Sequence, residues 1–272
     1  MGGPPETEEP TLRIICPVKR VPDTAADKKI AEDLTVDRDA SEPVLNANDE
    51  WSIEEAMRIK ERDGAEVIAL CMGPDAAQTT VRKALSYGLD GAILVTDDAI
   101  SGSDAYQTAK VLAAALREEQ FDLVIMGNQS SDARTTLVPA MLAELLDVPA
   151  LTYCKQLEID GEVARAHRET PTGHQVVEAR LPVVVSVVEA INEPRYPSFK
   201  GIMAAKKKPL EQRSLADVGV DAGEVGLANA TTQVLDITPR PPKQAGEKVE
   251  DDGSGAVGAQ AIAEFLAQQK YI

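Results

Sequence analysis

The residues of this chain best suited to chemistry lie between Gly127 and Ala133, where Asn128, Gln129, Ser130, Ser131 and Asp132 make a small, polar connection. An apolar run from Leu123 to Met126 precedes it and reads as a buried parallel strand. Leu137, Val138, Met141, Leu142 and Leu145 follow at helical spacing. A strand, a loop of small residues and a helix N-terminus offer backbone N–H groups to a phosphate. In an open α/β sheet such a loop also lies at the edge where ligands bind. On these residues alone two readings stand: a nucleotide phosphate site, or a plain turn in which Asp132 caps the helix.

Other reactive residues are sparse. His167 and His174 lie far from that loop in sequence, have no metal-ligand spacing, and neither a Ser nor a Cys falls in a nucleophile motif. The dinucleotide GxGxxG and the P-loop GxxxxGK[ST] are both missing. Cys16, Cys71 and Cys154 are odd in number and scattered, so they read as small core hydrophobes of a reducing cytoplasm, with no disulfide framework or metal site. The chemistry points to a protein that binds a nucleotide without catalysing a reaction of its own.

The elements that must position the loop follow from periodicity. Leu12–Val18 reads as the first strand, and Pro17 near its end suggests an exit from the sheet. Lys19 to Thr24 follow where an α/β sheet presents ligands, or else form a solvated basic turn. A polar stretch leads to Leu45, Asn46, Ala47, Asn48 and Asp49, then to a helix over about 51–62 that Asn48 or Asp49 would cap. Glu66–Met72 is a second strand, ended by Gly73 and Pro74, and Asp75 with Gln78 resembles a capping box for a helix that stops at Gly88. Gly91–Val95 and Ser103–Glu119 repeat the pattern, with Ser103 as N-cap. Strands alternating with amphipathic helices give right-handed βαβ units, so the fold class is α/β: a Rossmann-like, doubly wound, mainly parallel sheet. After Pro149 the pattern turns to strands at 156–159, 163–168, 175–179 and 181–188, with turn signals at Asp160-Gly161 and at Pro171 to Gly173, which add antiparallel strands to the sheet.

Asn192–Pro209, NEPRYPSFKGIMAAKKKP, has no period and carries Tyr196 and Phe199 beside Arg195, Lys200, Lys206, Lys207 and Lys208, so it reads as an irregular partner-docking loop. From Ser214 the chain is acidic and rich in Gly and Ala, breaks at Pro239, Pro241 and Pro242, and ends in a helix over 259–270 with Ile262, Phe265 and Leu266 on one face. The expected organisation is a disordered tip over 1–11, an α/β nucleotide-binding domain over 12–213 that includes the docking loop 192–209, and a C-terminal arm over 214–272 that packs on a partner subunit. With 45 acidic against 28 basic residues, the net charge of −17 argues against nucleic acid as a partner. No apolar run reaches the roughly 18 to 20 residues of a membrane span, and the acidic, Pro-rich opening is unlike a signal peptide, so neither membrane insertion nor export is expected.

Several of these stretches together resemble the β subunit of electron transfer flavoproteins, from Leu12 to the C-terminus. They are VKRVPDT at 18–24, IEEAMRIKE at 53–61, VRKALSYGLDGA at 81–92, RET at 168–170, LPVVVSV at 181–187 and, most specific, the run from Asn192 to Pro209. The resemblance implies a heterodimer whose α subunit holds most of a redox-active FAD, while the β subunit binds AMP and helps frame the flavin. Electrons would come from acyl-CoA and related dehydrogenases and leave to a quinone oxidoreductase, with no catalysis by the β subunit alone.

By position, the resemblance puts AMP contacts on Pro17, Asn46, Ala47, Asn48, Asp49, Met72, Asn128, Gln129, Ser130, Ser131, Asp132, Ala133, Arg134, Thr135, Thr136, Leu137, Val138 and Pro139. It puts Thr24 near the flavin ring, Glu169 opposite an arginine of the α subunit, and Phe199 as the anchor on a dehydrogenase, flanked by Tyr196 and Lys200. Ala133 and Thr136 stand where many members have glycine, and Ala47 where proline is usual, while Arg134 adds a cation beside the phosphate loop. Two alternatives are a second FAD in place of AMP, as in electron-bifurcating members, and a stand-alone ATP-binding protein on a similar fold.

Overall fold

The computed structural model describes residues 12–26, 29–38, 40–238, 241, 246 and 248–272. The tip expected over 1–11 lies outside them, as do Pro239 and Pro242 of the expected break. The strands are β1 (Arg13–Pro17), β2 (Arg20–Pro22), β3 (Pro43–Leu45), β4 (Glu66–Met72), β5 (Gly91–Val95), β6 (Leu123–Gly127), β7 (Ala150–Asp160), β8 (Val163–Thr170), β9 (Gly173–Arg180), β10 (Val183–Val187) and β11 (Leu210–Arg213). The helices are α1 (Ala47–Asp63), α2 (Gln78–Leu85), α3 (Ala105–Arg117), α4 (Val138–Leu146), α5 (Phe199–Ala205) and α6 (Ala256–Gln268).

Nine strands join in the order β11-β5-β4-β1-β6-β10-β7-β8-β9, and β2 pairs with β3 apart from them. From β11 to β7 every pairing is parallel, and β8 and β9 add an antiparallel meander. The protein is thus α/β with a mainly parallel sheet and extra antiparallel strands. Side chains alternate across each strand, which divides the core in two. Ile14, Cys16, Val67, Ala69 and Cys71 face Ile53, Met57, Val81 and Leu85 of α1 and α2. Ile15, Ile68, Leu70 and Val124 face Val111, Leu116 and Leu142 of α3 and α4. Central parallel strands covered on both faces account for the uninterrupted apolar runs.

Several expectations need correction. β1 does not leave the sheet: it lies between β4 and β6, and Pro17 pairs with Leu70. Its missing N–H is tolerated because Val18 donates to Leu70 O, which turns the Pro17 nitrogen toward β6, where pairing has already ended at Ile15. Asp104, not Ser103, caps α3, accepting from the Gln107 N–H while the Gln107 side chain accepts from the Asp104 N–H. Ser103 instead accepts from the Gly226 N–H. Asn48 and Asp49 lie inside α1, whose N-cap is Asn46. The Gln78 side chain donates to Asp75, but α2 has Ala77 at its N-cap and no side-chain cap. The docking segment is not irregular throughout, since Ser198 accepts from the Gly201 N–H and starts α5.

The stretch after Ser214 has more core than an arm would: Leu215, Val218, Val220 and Val225 are buried in the α3–α4 face of the core. One compact unit runs to Leu235 and a second covers Asp236–Ile272, where α6 begins at Ala256, three residues before the expected start. No helix among the described residues is long and apolar enough to cross a membrane.

Candidate functional site

The chain order reverses beside β1. From β1 the sheet grows through β4 and β5 on one side, then through β6 and β10 on the other. The loops leaving the C-terminal ends of β1 and β6 therefore meet at a topological switch point, where open α/β sheets bind ligands. Lys19 comes from the first loop and residues 128–137 from the second. The N-terminus of α1 lies between them.

Asn46 joins these parts. Its backbone N–H donates to Lys19 O (3.0 Å) and its amide nitrogen donates to Asp49 Oδ1 (2.8 Å) and Gln129 O (3.1 Å). Its amide oxygen accepts from the Ser131 N–H (3.0 Å). Asn48 donates to the same Gln129 carbonyl at 2.9 Å. The side chain of Asn46 is spent on the loop and not on capping α1, which explains why the helix starts without a side-chain cap. Asp49 also accepts from the Lys19 N–H at 2.7 Å.

Asp132 is the electrostatic centre. Its carboxylate, 1% exposed, accepts from Lys19 Nζ at 2.9 Å and from Arg38 Nη2 at 2.6 Å, and Lys19 Nζ also reaches Ser130 Oγ at 3.2 Å. Burial alone would raise its pKa, but Lys19, the Ser130 hydroxyl and Arg38 outweigh burial and hold it well below the usual carboxylate range. Burial lowers Lys19, against the pull of Asp132. Asp132 is thus not a helix cap. α4 starts at Val138 after a Leu137 N-cap, with Pro139 in its first turn, where a missing N–H is harmless.

Arg134 and Thr136 have φ of 53° and 57°, so two non-glycine residues hold the left-handed region in this loop. Thr136 stands at one of the expected glycine positions, and the backbone there keeps the conformation that glycine adopts without strain. Arg20, next to Lys19, has a buried Nε with no hydrogen-bond partner among the described residues. Lys19 and Arg38, brought together by Asp132, suit a phosphate, and the Asn46 and Asn48 amides suit polar edges of a nucleotide.

Asp49 sets a pH dependence. Burial pushes it up to about 7, although the Asn46 amide and the Lys19 N–H favour its charged form. A folded pKa above the unfolded one means stability fully present below about pH 4 and lost as pH rises through 7. Asp49→Asn is expected to remove that slope, so that variant and wild type diverge in the variant's favour by up to about 1.4 kcal/mol per pH unit between pH 4 and 7. Urea unfolding at several pH values measures it, and a constant difference would refute it.

Of the expected nucleotide contacts, the structure joins Asn46, Asn48, Asp49, Gln129, Ser130, Ser131 and Asp132 in one network, with Pro17 and Met72 at the ends of the adjoining β1 and β4. Ala47 opens α1, Asn128 leaves β6 with its N–H on Val187 O, and Ala133, Thr135, Leu137 and Val138 complete the loop and its entry into α4. Thr24 lies in an exposed turn. Tyr196, Phe199, Lys200 and Glu169 make no hydrogen bond to the network; Tyr196 is 96% and Phe199 81% exposed, and Glu169 pairs with Lys155. Arg38 was missed by the sequence reading. It sits in a polar stretch without period, and only its contact with Asp132 gives it meaning. The three thiols are buried, and burial pushes Cys71 and Cys154 up to about 12.

Residues 33–218 match the electron transfer flavoprotein domain. The electron transfer flavoprotein subunit beta of Mycobacterium bovis is 46% identical over 95% of this chain and 99% of its own length. The proteins of the same name from Thermoanaerobacterium thermosaccharolyticum and Megasphaera elsdenii are 36% and 33% identical, covering 87% and 95% of this chain and 91% and 99% of their own. Matched by the family's domain over more than half its length, and by its β subunits over nearly all of theirs, this chain belongs to the electron transfer flavoprotein family as a β subunit.

Proposed function

We propose that this β subunit binds a structural AMP between Lys19, Asn46 and the loop 128–139, and that it pairs with an α subunit whose FAD it helps frame through Thr24. The observation that carries the reading is the convergence of Lys19 and Arg38 with the Asn46 and Asn48 amides at the switch point of the sheet. Lys19 and Arg38 would hold the phosphate, and Asn46 would keep the loop 129–131 open beside it. The flavin supplies the redox chemistry when bound. The residues of this chain position and shield it.

Co-expression with the α subunit, followed by denaturation and nucleotide analysis, tests this. One flavin and one AMP per heterodimer are expected. Two flavins and no AMP would overturn the AMP assignment in favour of a second FAD.

The same reading makes Phe199 the contact with acyl-CoA-type dehydrogenases, from which electrons pass to a quinone oxidoreductase, with Lys200 beside it and Glu169 turned to the α subunit. A phenylalanine 81% exposed on a short capped helix suits an anchor. Phe199→Ala is expected to slow electron acceptance about thirtyfold, roughly 2 kcal/mol of lost docking, with the flavin spectrum unchanged. Stopped-flow reduction by several dehydrogenases measures it, and an unchanged rate with all of them would refute the anchor. The expected C-terminal packing on the α subunit belongs to the same proposal and now concerns the unit Asp236–Ile272.

A further inference from the structure

Beside α5 lies a cavity of about 330 Å³, walled by Trp51, Tyr87 and Tyr196 and edged by Glu50, Lys83 and Glu193. It shares Ala47 with the expected nucleotide contacts, and its other lining residues lie outside them. Its charges are unevenly used. Arg195, also in the wall, is saturated by Glu54 at 2.7 Å and by Glu61. Tyr87 donates to one Glu50 oxygen at 2.7 Å, and the other oxygen has no partner among the described residues. Glu193 is exposed and has no ion-pair partner there either. Lys83, with its ammonium 5.5 Å from the Tyr87 ring centre, is exposed and can turn to solvent. Aromatic faces with one unpaired carboxylate and a second that keeps an oxygen free are the surroundings a guanidinium or ammonium prefers.

The cavity adjoins an exposed apolar face. Phe199, Ile202 and Met203 recur at helical spacing on α5 and are 81%, 45% and 48% exposed, and Tyr196 is both a cavity wall and the start of that face. We propose that the cavity receives a basic side chain, an arginine by preference, from the protein that docks over Phe199, which rests on the docking reading above. The planar guanidinium stacks on Tyr196 or Trp51 and donates to Glu50 and Glu193. The apolar face then supplies contact area, and the cavity sets register and partner choice.

Trp51 is the single tryptophan of the chain, so its emission reports on the cavity directly. Titration of the isolated subunit with argininamide is expected to give a saturable change in Trp51 emission, and citrulline amide, isosteric but uncharged, is not. Glu193→Lys should weaken argininamide at least about fivefold, and Lys83→Gln should tighten it. No saturable change, or an equal change with citrulline amide, overturns the cavity's preference. Phe199→Ala tests docking separately: it should leave the titration intact while slowing electron acceptance. A Glu193→Lys protein that accepts electrons as fast as wild type, while Phe199→Ala does not, overturns the link between cavity and docking.

Discussion

Gly127→Ala is expected to destabilise the protein by about 3 kcal/mol, which for a unit of this size lowers the melting temperature by roughly 6 to 12 °C. Gly127 ends β6, and a Cβ there would lie 2.7 Å from Asn48 Cβ and 2.8 Å from the Asn48 backbone carbonyl. Its φ is not positive, so the restriction is steric and not conformational. Backbone cannot step aside as a flexible side chain does, so β6 and the start of α1 must separate. That separation lengthens the Asn48 bond to Gln129 O and opens the loop that carries the site. Thermal unfolding is the measurement, together with retention of the proposed AMP on gel filtration. A variant as stable as wild type would show that the close contact is not required.

The second large effect concerns Asp132. Asp132→Ala is expected to reduce the unfolding free energy by about 2 kcal/mol near neutral pH. The value lies below that of a fully buried pair because Lys19 and Arg38 keep 36% and 41% of their side-chain surface exposed. The folded pKa of Asp132 is depressed, so its contribution is present above the unfolded value near 4 and disappears as pH falls below it. The difference between variant and wild type should therefore shrink between pH 4 and pH 2. Asp132→Asn keeps the shape and loses the charge, so it should behave like alanine if charge decides. A loss that persists at pH 2 would assign the effect to packing.

Much of this architecture was legible in the sequence. Glu66–Met72 and Gly91–Val95 are strands with the bounds that their apolar runs suggest, because strands covered on both faces leave no ambiguity of period. The loop after β6 was legible as a polar connection between a buried strand and a helix for the same reason: small polar residues directly after an apolar run have few other places to be. Local capping was less legible. Ser103 and Asp104 are both good N-caps, and only Gly226, more than a hundred residues on, takes the serine. Pro17 misled because proline in a strand usually marks an edge, and the side on which β6 stops pairing is a tertiary fact. Arg38 and the burial of Leu215 and Val218 were invisible for a similar reason. Each depends on a partner distant in the chain, and neither lies in a periodic segment.

The position of β1 bears on synthesis as well as on the finished fold. Arg13–Pro17 leaves the ribosome before every other described strand, yet its neighbours begin at Glu66 and Leu123. A nascent chain released up to Leu116 therefore still has one edge of this central strand open. The β7–β9 meander, whose pairings are local, can close within its own sequence, and β10 must then slot between β6 and β7. Pairings over such sequence separations are slow to form. The vulnerable interval for this subunit is thus its own translation, when an unpaired central strand is open to aggregation and to capture by chaperones.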